Sequence, residues 1–230
     1  MTRTQFEKLT TALADELATL GFTRSRDRFW MLNGEEYLIV RLERLRGSDE
    51  EHLLVRAYVE ISCDCVARFM GAEPLRAPRT SGEFVSWMGN FFTKHAEAWW
   101  VVEDRPDPEW TRAYVVGRGD PRQVAKSIRE VVKEHVLPAT LRYTSGPAIR
   151  DAILATGRGP ASDWWPHWLL YMAILTARFG PEDQFELYAK RTLESRSLPP
   201  EHYAPLIERL RRGDFYAPGF APGEKGKPKK

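Results

Sequence analysis

The chain has no long hydrophobic run, and it has only two cysteines. No apolar stretch approaches the roughly 18 residues a membrane-spanning helix needs. The longest candidate, Trp164 to Phe179, is interrupted by Pro166, His167 and Arg178. Thr2 to Leu20 is polar at every turn and offers no secretory core, so the cytoplasm is the expected location. The two cysteines stand together as Cys63-Asp64-Cys65. On an extended strand such neighbours point to opposite faces, and a bond between them would be strained. A metal site needs more ligands than this, and no second pair exists. Reduced, partly buried thiols are therefore expected. None of the five histidines, His52, His95, His135, His167 and His202, has a His-x-x-x-His partner. Gly-x-Ser-x-Gly is absent. Gly117-Arg118-Gly119 precedes a helix start but lacks both the P-loop lysine and the third Rossmann glycine. The sequence implies no metal and no cofactor, and it shows no catalytic constellation.

What is present is a soluble globular balance, 43% hydrophobic and 29% charged over 230 residues. One domain, or one domain with a small helical appendage, fits that length. The net charge of +2 is unevenly placed. Residues 211–230 hold six Lys or Arg against Asp214 and Glu224, a net +4, which leaves 1–210 at −2. The basic character is thus largely a property of the tail, and the body lacks the charge of a nucleic-acid-binding domain.

The local signals are clean at the start. Thr4 with Glu7 forms a capping box, and Phe6, Leu9, Leu13, Leu17 and Leu20 share one face of a helix that Gly21 stops. Phe29–Leu32, the turn Asn33-Gly34, Glu35–Leu45 and Leu53–Ile61 then read as an antiparallel meander. Its apolar face carries Leu38, Val40 and Leu42, while Tyr37, Ile39, Arg41 and Glu43 occupy the other. Residues 64–80 look irregular. A helix is expected over Ser81–Ala96, strands at Trp99–Val102 and Thr111–Val116, and a helix that opens at Asp120-Pro121 and stops before Pro138. From Ser145 onward the chain reads as helical, over Ala148–Ala155, Asp163–Phe179, Glu182–Ser195 and Pro200–Arg212. From Phe215 it reads as a disordered tail.

A helix ending Leu20-Gly21-Phe22, Phe29-Trp30 before a turn, and a strand rich in Leu, Ile and Val resemble the bacterial domain-of-unknown-function 4304 family. The paired Trp99-Trp100, the helix ending His135-Val136-Leu137-Pro138 and the segment Leu169 to Gly180 fit as well. The resemblance covers about residues 5–195. It departs at Arg41–Arg46, where relatives carry a Gln-Lys-Ser-like polar segment. The family has no established activity, so the resemblance implies a fold and no chemistry.

The expected architecture is α+β: an N-terminal helix on a small antiparallel β-meander, followed by a helical C-terminal half. It divides into an α+β domain over 1–140, a helical subdomain over 141–214 and a disordered basic tail over 215–230. The eight tryptophans, an unusually high number, could stack on a ligand. They serve equally as large core and rim residues, which is the favoured reading. Arg24, Arg26 and Arg28 alternate on one side of an extended segment and, with Arg41, Arg56 and Tyr58, could form an anion-binding face. The interleaved Asp27, Glu35, Glu36, Glu43 and Glu60 favour a solvated sheet face with cross-strand ion pairs. The function expected is a non-catalytic binding or regulatory module for a protein or small ligand. Its contact candidates are Trp100, Trp165, His167, Arg41, Arg56 and Tyr58. One rival is a nucleic-acid-associated protein using the Arg-rich hairpin and the Lys225–Lys230 tail. The other is an enzyme with a cleft at the tryptophan-rich seam. An unpaired meander edge could pair two copies into a homodimer, and no membrane partner is expected.

Overall fold

The computed structural model describes residues 2–44, 53–71, 84–87, 114–116, 120–156, 167–195 and 200–217. Of Arg56, Tyr58 and His167 only the backbone is described. The fold is α+β, with an N-terminal helix, an antiparallel sheet and a helical C-terminal half. Helix α1 spans Thr2–Ala18. Leu9, Leu13 and Leu17 recur at i, i+4 and i+8 and are fully buried, which is why this stretch is helical. Thr4, expected at the N-cap, lies inside the helix. Gly21, at φ 90°, ends the helix, with Phe22 N–H donating to Leu17 O at 3.1 Å.

The sheet contains β1 (Thr23–Ser25), β2 (Arg28–Asn33), β3 (Glu36–Arg44), β4 (Leu53–Ser62), β5 (Phe84–Trp87) and β6 (Tyr114–Val116). The strand order is β1-β2-β3-β4-β5, with β6 also on β4. Three differences from the expected meander have physical causes. First, Arg24–Arg28 is not one extended arm. Arg26 turns left-handed at φ 60°, and the chain folds back so that Arg24 faces Phe29 and Ser25 faces Arg28. Second, the β2–β3 turn sits one residue later, at Gly34-Glu35, with Gly34 supplying the positive φ of 69°. Only glycine fits there, because a Cβ would lie 2.4 Å from Thr144 O. Third, the last meander strand is not an edge, since β6 pairs with it antiparallel, Leu53 opposite Val116 and Val55 opposite Tyr114.

The stretch expected as the helix Ser81–Ala96 is a strand at Phe84–Trp87, where the aromatic and β-branched residues favour extension. The rest of that stretch, with the Trp99–Val102 strand, lies outside the described residues. The next helix, α3 (Pro121–Val131), opens as expected, with Asp120 accepting from Arg122 N–H at 3.0 Å. It does not stop before Pro138. A π segment, Val132–Val136, passes into α4 (Leu137–Thr140), with Leu137 N–H donating to Val132 O. The wider turn absorbs the donor that Pro138 lacks.

By contact density the chain forms two units. Unit one comprises residues 1–33, 37–60 and 86–141, and unit two comprises 34–36, 61–85 and 142–230. In unit one α1 packs on α3, and Arg129 Nε reaches Glu16 Oε2 at 3.7 Å. In unit two the helices are α2 (Asp64–Met70), α5 (Gly146–Thr156), α6 (His167–Phe179), α7 (Glu182–Glu194) and α8 (Pro200–Arg211). Leu170 to Thr176 is buried on every side, which makes α6 the central helix, contacted by α2, α5, α7 and α8. Helix α2 occupies a place expected to be irregular. The segment expected as a disordered tail begins with three tied residues: Ala217 N–H donates to Arg68 O at 3.0 Å, Arg209 Nη2 donates to Tyr216 O at 2.8 Å, and Phe215 is half-buried. Residues 218–230 lie outside the described set.

Candidate functional site

Two buried carboxylates stand out, one in each unit. In unit one, Glu60 near the end of β4 is 4% exposed. Strand alternation puts it on the face of β3 that carries Tyr37 and Arg41, and Arg41 Nη2 lies 3.4 Å from its Oε1. Trp30 on β2 meets Tyr37 edge-on at 5.5 Å on the same face. Ile39 is fully buried there as well, so this is not the solvated sheet face that the sequence suggests. Burial pushes the Glu60 carboxyl above its ordinary range, opposed by the charges of Arg41 and Arg28. Glu60 Oε2 and Trp30 Nε1 are both buried and have no hydrogen-bond partner. One is an acceptor and the other a donor, and such groups are costly to bury unpaired.

In unit two, Glu36 opens β3 and is 3% exposed. It shares the strand face of Leu38, Val40 and Leu42, so its carboxylate points where apolar side chains point. Glu36 Oε2 accepts from Asp64 N–H at 2.8 Å, and Oε1 accepts from the Cys63 thiol at 3.5 Å. The Cys63 and Cys65 sulfurs lie 3.4 Å apart. The sequence reading placed these thiols on opposite faces of a strand, and this is corrected. Strand β4 ends at Ser62, and Cys63 is the residue before α2. Entry into a helix bends the chain, so the two side chains converge. Both cysteines are unbonded and buried. Burial raises Glu36 to about 7, only partly offset by the Asp64 N–H and the Cys63 thiol. The hydrogen bond to Cys65, then burial, hold the Cys63 thiol well above its ordinary range.

Of the residues singled out from sequence, Arg41 is placed in a buried cluster. Arg56 and Tyr58 lie on β4, with their side chains outside the described set. His167 is the first residue of α6, and its side chain is likewise outside it. Trp100 and Trp165 fall outside the described residues altogether. Trp168, next to His167, packs edge-on against Tyr188 at 5.9 Å, a core role. Arg24 is tied down by hydrogen bonds to Arg26 O, Thr11 Oγ1 and Thr10 Oγ1. Sequence reasoning missed Glu36 and Glu60 as site residues. For Glu36 a signal existed, a carboxylate in phase with three apolar residues. For Glu60 none did, because its strand neighbours Arg56 and Tyr58 are polar.

Among the described residues, no group of three or more His, Cys, Asp or Glu is placed to hold a metal ion. No helix among them is long and apolar enough to cross a membrane. Comparison with protein-family models, curated proteins and solved structures finds no match.

Proposed function

We propose that this chain is a non-catalytic binding module of the cytoplasm, and that the β2–β4 face around Glu60 takes its ligand. The observation that supports this reading is the unpaired Glu60 Oε2, buried beside Arg41 on a face that also presents the unpaired Trp30 Nε1. An incoming group that donates to the carboxylate and accepts from the indole would satisfy both. A primary amide carries both the donor and the acceptor. Tyr37 and Trp30 would give such a ligand an aromatic wall. The Arg-rich hairpin lends less support to nucleic acid, because Arg24 is committed to α1 and Arg41 to Glu60.

The test is a thermal-shift screen of small primary amides and amines on the wild type and on Glu60→Leu. At least one amide should raise the wild-type midpoint by several degrees and leave Glu60→Leu unmoved. If no compound shifts the wild type, or both proteins shift alike, the Glu60 face is a structural feature only.

A further inference from the structure

Unit two contains a second arrangement that the binding reading does not use. Two thiols 3.4 Å apart need to approach by only about 1.4 Å to reach disulfide bonding distance. Both are buried, Cys63 at 0% and Cys65 at 6% exposed, so Cys65 is the one a small oxidant meets first when the site opens locally. A carboxylate oxygen already accepts a hydrogen bond from the more buried thiol. We infer that Cys63 and Cys65 form a reversible dithiol–disulfide site, in which Cys65 captures a small disulfide, Cys63 resolves it, and Glu36 moves the proton.

The chemistry balances in two steps. Cys65 gives its proton to solvent and attacks one sulfur of the small disulfide. One thiolate leaves and takes a proton from solvent, and Cys65 is left in a mixed disulfide. Cys63 then passes its proton to Glu36 and attacks the Cys65 sulfur. The second thiolate leaves and recovers that proton from Glu36. Two electrons have passed from the protein thiols to the oxidant. One S–S bond has been broken and one made, and Glu36 ends as it began. Thiol exchange in the reverse direction restores the dithiol.

The surroundings suit the roles. A thiol held protonated, as Cys63 is, cannot resolve a mixed disulfide unless a base stands against it. Glu36 stands there, and near neutral pH it is divided between its acid and base forms. Among the described residues, the charged groups acting on it are Asp64 and Glu35, both acidic, which favour its protonated form. The site also sits where a change would be felt. Asp64 ion-pairs with Arg68 at 2.6 Å, the Phe69 ring lies under the Arg209 guanidinium at 4.5 Å, and Arg68 O holds Ala217.

The experiment exposes the full-length native chain to oxidised glutathione and follows intact mass. The wild type should lose two hydrogens and accumulate no lasting adduct. Cys63→Ser should stop at one glutathionyl group on Cys65, and Cys65→Ser should not react while folded. Glu36→Gln should slow closure about tenfold or more. In the Cys63→Ser background the same Glu36→Gln change should leave capture within about twofold, which separates proton transfer from mere exposure. A lasting wild-type adduct overturns the inference. So do thiols that stay unreacted for as long as the urea-unfolded chain needs to oxidise fully. Both of these readouts need no variant to fold.

Discussion

Glu36 and Glu60 are both buried glutamates on neighbouring strands, and burial raises both, yet their surroundings are opposite. Glu60 has Arg41 and Arg28 to oppose its neutralisation. Glu36 has a backbone N–H, a thiol and two acidic neighbours. Burial alone decides that a carboxylate is unhappy as an anion. Whether it is kept charged or left free to exchange its proton depends on what stands beside it. The first carboxylate is suited to holding a charge in place, and the second to handing a proton on.

The largest blow to this contrast is to take the cation from Glu60. Arg41→Met should cost about 3 kcal/mol at pH 8, because it strips a buried carboxylate of its partner. The loss should shrink at pH 5, where Glu60 can take up a proton. Urea titrations at the two pH values measure both, and equal losses would show that the ion pair does not govern Glu60. Adding Glu60→Leu should recover most of the stability.

Glu36 makes the complementary case through pH. Its carboxyl is higher in the folded chain, about 7, than the ordinary 4.5, so the folded state holds the proton more tightly. Its stabilising contribution is complete below about pH 4.5 and is lost as pH rises through about 7, a fall of about 3 kcal/mol. Glu36→Gln should remove that part of the slope, as denaturation midpoints at pH 5 and 8 would show. An unchanged slope would mean that Glu36 is not the titrating group.

Smaller changes sharpen the contrast without touching either carboxylate. Gly34→Ala, two residues before Glu36, should cost about 2 kcal/mol, from the strain of φ 69° and the collision with Thr144. Through the shifted turn it should also alter the pH slope attributed to Glu36, and an unaltered slope would show that the turn does not position that residue. Asp120→Ala is the control. It removes a helix cap worth about 1 kcal/mol and should lower the thermal midpoint by similar amounts at pH 5 and pH 8.

Much of the architecture was legible because periodicity is a local property. Leu9, Leu13 and Leu17 announced α1, the Leu38–Leu42 alternation announced β3, and Asp120-Pro121 announced α3. The site was less legible because convergence is not local. Cys63 and Cys65 read as divergent on the assumption that the strand continued, and one early bend reversed the conclusion. Glu60 and Arg41 are nineteen residues apart, and only the register of two strands unites them. Helix α2 escaped notice because seven residues are too few to show an amphipathic period. The π segment escaped because Pro138 is ordinarily read as a stop, and the compensating wide turn leaves no residue signature.

That π segment has a consequence for which changes of length the chain can bear. Lys133 and Glu134 are exposed, and swapping either for another polar residue should pass unnoticed. Deleting one of them would close the π turn into ordinary α-helix and leave the flanks facing as they do now. Val136 and Thr140 would stay on the buried side, and the Thr140 carbonyl would keep the Asn33 amide it meets at 2.9 Å. What would be lost is the wide turn around Pro138, whose ring would then crowd a carbonyl of a regular turn at a cost of about 3 kcal/mol. Single-residue deletion of Lys133 or Glu134 should therefore lower the urea midpoint, and adding Pro138→Ala should restore it. The extra residue makes room for a proline.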